Sequence, residues 1–275
     1  MKKIILVVLL LSFSSFTFAQ KKPKIKGNKT VTEITKDIFE PFNTIEIDDA
    51  LKVELNQSKE NTYFLKTDEN LIDIIQFNIK DSILKIYTTN RIIKSKKLKI
   101  VLNIKNLEYL ILKNDAIIKG KEKLSIDKLN LSAYNSSRFD LDIKSEDINV
   151  LLYNNASGKI KAKSKNTTIL MTDKTDLKGY ITANNTNITL TKYAELKLEG
   201  DSNDAIFDTE DSSKLDAKKM KISSVSLNTS NKTDIYVYAS KKLELSAKGK
   251  SKVYVYGNAK MDVKNLADKS KIIKK

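Results

Sequence analysis

The chemistry open to this chain is narrow. It has no histidine and no cysteine, which removes the commonest general base, the thiol nucleophile and the usual zinc ligands. What remains is carboxylate and lysine chemistry. Acidic pairs stand at Asp140 with Asp142, Asp201 with Asp204, and Glu210 with Asp211. A spaced column of Asp173, Asp211 and Asp268 is interrupted by Lys192 and Asn231. Flanking carboxylates can cleave a glycosidic bond, yet each of these residues also suits an exposed turn. With seven glycines in all, the chain has neither a glycine-rich calcium repeat nor a phosphate-binding loop. No cofactor, metal or catalytic residue is therefore expected.

Tyrosine and asparagine are the binding candidates. Tyr134 and Tyr153 are 19 residues apart, and Tyr236 and Tyr238 precede Tyr254 and Tyr256 by 18. Outward aromatic pairs can hold sugars or a protein partner, and they can equally shield a sheet by cross-strand stacking. Asn114, Asn135 and Asn154 stand at matching turn positions, where stacked side-chain amides can form a hydrogen-bonded ladder. Each Asn also simply suits a turn.

These spacings come from a repeat that must position them. A small residue, two places after a turn former, recurs at Ala116, Ser137, Ala156, Thr175, Ala194, Ser213, Thr233, Ser251 and Ser270. The steps are 18–21 residues, the mark of a solenoid. Six places before it stand large apolar residues, from Leu110, Leu131, Val150, Ile169 and Ile188 to Phe207, Leu227 and Leu245. Within each unit the apolar period is two, that of a pleated strand. A coil this short cannot hold a strand plus a crossover helix, which needs roughly 30 residues. The pattern predicts an all-β, single-stranded parallel β-helix of about nine coils stacked about 4.8 Å apart. Parallel crossovers favour a right-handed winding.

Four segments are expected. Residues 1–19 read as a signal peptide: Lys2 and Lys3, the apolar run Ile4–Leu11, then Thr17-Phe18-Ala19 before cleavage. That run is too short to span a bilayer, so the mature chain is expected to lack a transmembrane segment. Residues 20–36, polar and carrying Pro23 and Gly27, read as a leader or linker. Residues 37–106 read as an N-terminal cap of antiparallel strands, with Asp68 capping one helical turn near Leu71. Residues 107–275 are the β-helix repeats. The formal net charge is +16, and Arg91 and Arg138 are the only arginines. Arginine is the residue suited to reading phosphates and base edges, so specific nucleic-acid binding is not expected. A lysine-coated surface either attracts anionic polymers or is a solvated sheet whose lysines discourage edge pairing.

The run Phe39-Glu40-Pro41-Phe42-Asn43-Thr44-Ile45-Glu46-Ile47, followed by Val53-Glu54-Leu55-Asn56-Gln57, resembles the opening of a bacteroidete family, the putative auto-transporter adhesin head GIN domain. Thr67-Asp68-Glu69-Asn70-Leu71 and then Ile83-Leu84-Lys85-Ile86 resemble it too. The likeness covers roughly residues 39–260. The corners depart from the family's Ser-Gly-Ala/Ser, reading Asn-Asp-Ala, Asn-Ser-Ser and Asn-Asn-Ala, and there is no Gly-Ile-Asn tripeptide. The resemblance implies an exported protein with a strand region running into β-helix coils, an adhesin role, and no catalytic residues. The expectation is an exported non-enzymatic binding or structural protein, periplasmic, outer-surface or secreted. Its expected partners are glycans, anionic cell-surface polymers or further copies of itself. The alternative is a carbohydrate-active β-helix enzyme, a lyase or hydrolase, working through carboxylates.

Overall fold

The computed structural model describes residues 22–275; the signal sequence read at 1–19 lies outside the described residues. The chain forms a β-solenoid of about nine turns, with parallel strands throughout except at its N-terminal end. Each coil lays down two strands, so the rod has two long faces. On face I, Lys128–Ala133, Asp147–Leu152 and Asn166–Met171 pair in parallel. On face II, Arg138–Lys144, Ser157–Lys163 and the first half of Asp176–Leu190 do the same.

Alternation decides what each strand buries. In face I the register runs Leu131, Val150, Ile169, Ile188, Phe207, Leu227 and Leu245. None of the seven is more than 1% exposed. In face II it runs Phe139, Gly158, Leu177, Leu196, Leu215, Ile235 and Val253. The two rows face one another across a continuous apolar interior. Each fully buried aliphatic side chain contributes about 1.5–3 kcal/mol, which is what holds together a chain without disulfides.

The corners explain the small column. Asn114, Asn135, Asn154, Asp173, Lys192, Asp211, Asn231, Gly249 and Asp268 all have positive φ, from 47° to 73°. Asn, Asp and Gly adopt this left-handed conformation at least cost; Lys192 holds it without that advantage. The next residue but one then turns inward with no room for bulk. Ser137, Thr175, Ser213, Thr233 and Ser251 are buried there, and hydroxyls at this position find carbonyls: Thr175 donates to Thr172 O (3.2 Å) and Ser251 to Lys248 O (2.9 Å).

The N-terminal third carries the expected antiparallel strands and adds parallel coils to them. Thr44–Ile47 and Lys52–Gln57 lie parallel on Tyr109–Leu112 and Ile117–Gly120 and act as one further coil. Ile83–Thr88 and Leu98–Ile104, later in sequence, stack parallel on the outer side of that coil. Stacking order and chain order are therefore exchanged. Antiparallel pairing among the described residues is confined to this end: Thr62–Asp68 with Val31–Asp37 and with Leu98–Ile104, and Ile75–Lys80 with Ile83–Thr88. Period-two alternation is the same for both pairings, so the sequence pattern could not separate them. Tyr63 and Phe77 stack at 3.9 Å over this end.

Two smaller expectations change. The stretch read as a leader contains the strands Lys24–Lys26 and Val31–Asp37. Its polar composition is that of an edge strand with one face in water. Glu69–Ile74 is a 3₁₀ helix, but the Asp68 carboxylate does not cap it. It accepts a hydrogen bond from the Lys96 backbone N–H at 2.9 Å instead.

Candidate binding faces of the solenoid

The corner amides meet along the edge of the rod. Asn114 Nδ2 donates to Asp48 Oδ1 (2.8 Å), Asn135 Nδ2 to Asn114 Oδ1 (3.1 Å), and Asn154 Nδ2 to Asn135 Oδ1 (2.6 Å). The ladder changes chemistry at the next coil, where Asp173 accepts from the Asn154 N–H (3.3 Å) and from Lys192 Nζ (2.6 Å). The Lys192 ammonium holds the Asp173 carboxyl below its ordinary range. Asn231 Nδ2 then donates to Asp211 Oδ1 (3.0 Å), and Gly249 N–H to Asp268 Oδ2 (2.9 Å). The acidic column thus has its carboxylates committed to the corner. Among the described residues no three acidic side chains gather into a metal-binding group.

Further amide pairs lie on face I, where Asn149 Nδ2 donates to Asn130 Oδ1 (3.0 Å) and Asn185 Nδ2 to Asn166 Oδ1 (2.9 Å). Their signal was the same 19-residue step at outward positions.

The tyrosines form two patches, not one surface. Tyr134 and Tyr153 stack at 5.2 Å with planes 6° apart, each immediately before a ladder Asn. Tyr236 and Tyr254 stack at 4.6 Å and 7° on face II. Tyr238 and Tyr256 sit beside them in register. The first stack stands at the corner just past the strands Lys128–Ala133 and Asp147–Leu152, the second on a face II strand, and four coils, roughly 19 Å of rod, separate Tyr153 from Tyr236. Lys218 Nζ is 5.2 Å from the Tyr236 ring and Lys275 Nζ 5.7 Å from that of Tyr254. Burial, then the fields of Tyr254 and Asp234, push the Tyr236 phenol above its ordinary value. All six rings are partly buried, so each presents a strip of aromatic surface.

Between the patches lies a feature that reading only the inward columns missed. Lys159, Lys178 and Lys197 occupy the same outward position on three successive coils of face II. Their backbone positions repeat at the coil spacing of about 4.8 Å. Lys197 lies 3.5 Å from Glu199; Lys159 and Lys178 have no carboxylate within 4 Å among the described residues. Like charges opposite one another on neighbouring strands are destabilising. Beside the row, Lys161 pairs with Asp142 (3.3 Å). The row borders a surface trough of about 510 Å³ that contains Gly120, Gly179 and Tyr180. Asp140 and Asp142 also border that trough, as do Glu122 and Glu199, and all four carboxylates are interleaved with its lysines.

A rod with two flat faces, laddered edges and side chains repeated at the coil spacing belongs to the class of β-solenoid proteins that present extended surfaces. The chain belongs to the family described as "Putative auto-transporter adhesin, head GIN domain", whose pattern it matches over residues 41–168 and again over 151–259. Solved structures share the fold. A putative adhesin from Parabacteroides merdae superposes with a TM-score of 0.69 at 16% identity, over 92% of this chain and 99% of its own. A putative adhesin from Parabacteroides distasonis gives 0.69 at 16% identity, over 91% and 99%. A protein of the same organism described as a putative lipid binding protein gives 0.67 at 20% identity, over 91% and 99%. No curated protein matches the chain. Among the described residues no helix is long and apolar enough to cross a membrane.

Proposed function

We propose that this is an exported, non-enzymatic adhesin of the cell surface or envelope, and that face II is its binding surface for anionic glycans. The family supports the binding role. The observation that carries the ligand class is the in-register row Lys159, Lys178 and Lys197. Three lysines in line along the rod match a linear polymer with regularly spaced carboxylates or sulfates. The Tyr236–Tyr254 stack on the same face offers the apolar platform that sugar rings use. Export rests on the basic-apolar-small pattern of residues 1–19.

The test is titration of an alginate or heparin oligosaccharide at several salt concentrations. Binding driven by displaced counterions falls steeply with salt, with a slope set by the number of charges neutralised. Replacing Lys159, Lys178 and Lys197 together by Ala should flatten the slope and weaken binding about tenfold or more, at about 1 kcal/mol per exposed pair. An unchanged slope would remove the lysine row from the account. Shortening of the oligosaccharide during the titration would replace the adhesin reading with the carbohydrate-active enzyme.

A further inference from the structure

We infer that the N-terminal end of the rod carries a second, separate site for an anionic amphiphile: a carboxylate or phosphate head on a single alkyl chain. Lys24–Lys26 and Arg91–Lys94 form a small parallel ribbon outside the main sheet. The ribbon crosses the corner where Asp49-Ala50 meets Asn114-Asp115 and borders a half-open cleft of about 720 Å³. That is within the span of small-molecule sites, roughly 300–1,000 Å³.

The charge on the ribbon is one-sided. Its register sets Lys24 opposite Arg91 and Lys26 opposite Lys94, two like-charge pairs of the kind that weaken a sheet. Neither strand contains an acidic residue. Lys24, Arg91 and Lys94 line the cleft together with Lys22. Of the carboxylates there, Asp49 is already engaged by Lys22 and by the Thr88 N–H (2.9 Å) and hydroxyl (3.2 Å). Asp115 is the other. Lys24, Arg91 and Lys94 make no ion pair among the described residues. Arg91 is one of two arginines in a lysine-rich chain, and its planar fork suits two oxygens of one carboxylate or phosphate. A bound anion would neutralise the opposed cations.

The rest of the lining selects for a ligand with an apolar body. Ile92, Ile93 and Leu98 border the same space, and Ile93 is 45% exposed although it lies in a strand. Cations around an apolar wall favour a headed alkyl chain over a free anion and over a neutral lipid. This site lies at the far end of the rod from the Tyr236–Tyr254 patch and does not depend on the glycan reading.

Calorimetric titration of the full chain with dodecanoate, dodecyl phosphate, dodecanol, acetate and inorganic phosphate tests it. Saturable binding of one anionic amphiphile per chain is expected, with dodecanol, acetate and phosphate at least about tenfold weaker, since both the charge-assisted hydrogen bonds and the buried alkyl chain contribute. The ratio of dodecanoate to dodecyl phosphate affinity identifies the head group. Arg91→Ala should weaken binding about tenfold and Arg91→Lys less, because a lysine keeps the charge but not the fork. Ile93→Asn, at an exposed position, should weaken the alkyl ligands while leaving the fold and alginate binding intact. Equal affinity in Arg91→Ala, equal binding of dodecanol, or no binding of either anionic amphiphile would overturn the proposal.

Discussion

Gly158 breaks the inward row of face II that runs from Phe139 to Val253, and the structure makes a sharp demand of it. A methyl group added there would sit 2.3 Å from Phe139 Cζ and 2.5 Å from Cε1. The Phe139 ring therefore fills the space that Gly158 leaves, and the two residues share one side chain's volume between neighbouring coils. Phe139 is only 3% exposed, so the ring has nowhere to go. In the natural background Gly158→Ala should destabilise by about 1–3 kcal/mol through overpacking. If Phe139 is first made Leu, the clash disappears. What then remains of Gly158→Ala is the backbone-entropy gain of replacing glycine in a strand, about 0.5–1 kcal/mol, plus part of the volume lost with the ring. The same substitution should thus change sign, from destabilising to stabilising. Urea unfolding of the four proteins of this cycle, followed by far-ultraviolet circular dichroism, measures it. The coupling energy should favour the double variant by about 1.5–3 kcal/mol, the upper part of the range for contacting residues. If the two substitutions add to within about 0.5 kcal/mol, the ring does not occupy the glycine's place and the packing of face II has been misread.

Gly200 has φ +115° and an added Cβ would lie 2.1 Å from the Ile181 carbonyl oxygen. Gly200→Ala should therefore cost about 2–3 kcal/mol or more from backbone strain and overpacking. Gly120→Ala, which meets Leu141 Cδ2 at 3.3 Å, should stay within about 1 kcal/mol of neutral on the same urea curves. Asn135 both donates to and accepts from its corner neighbours. Asn135→Gly keeps the turn and should lose about 1 kcal/mol for the ladder; Asn135→Val should lose about 1–3 kcal/mol more for the left-handed backbone, read as successive drops in melting temperature. Glu46 is nearly buried between Lys85 (2.9 Å) and Lys113 (2.8 Å). Burial alone would raise its pKa, but hydrogen bonds from Lys113 and Lys85 outweigh this and hold it below its ordinary 4.5. The stability it supplies is complete above that ordinary value and is lost as pH falls through the lower, folded-state value. Glu46→Gln should cost about 1–2 kcal/mol at pH 7, and the gap to the parent should close as urea midpoints are followed from pH 6 towards pH 3.

Much of the fold was legible because a solenoid repeats its physics. Leu131, Val150, Ile169 and Ile188 stand at a fixed step, and each can bury its side chain only on the next coil. Periodicity therefore dictated both strand and stacking. Positive φ at Asn114, Asn135 and Asn154 likewise follows from residue type and place. The lysine row was equally periodic, but an outward column carries no hydrophobic signal, and three lysines 19 residues apart look like any solvated surface until their register is known.

What the tertiary structure alone decided is where equivalent patterns go. Ile45 and Leu84 sit in strands of the same alternation, yet their register partners place the later strand outside the earlier one. Alternation specifies a buried face but not a neighbour, and any strand with a matching apolar stripe can fill the next position. Gly158 was likewise unexplained in sequence, because its partner's ring comes from the coil before. The ribbon that sets Lys24 against Arg91 joins segments 67 residues apart. Local pattern determined which side chains point inward; only the stacked coils determined which outward charges stand together.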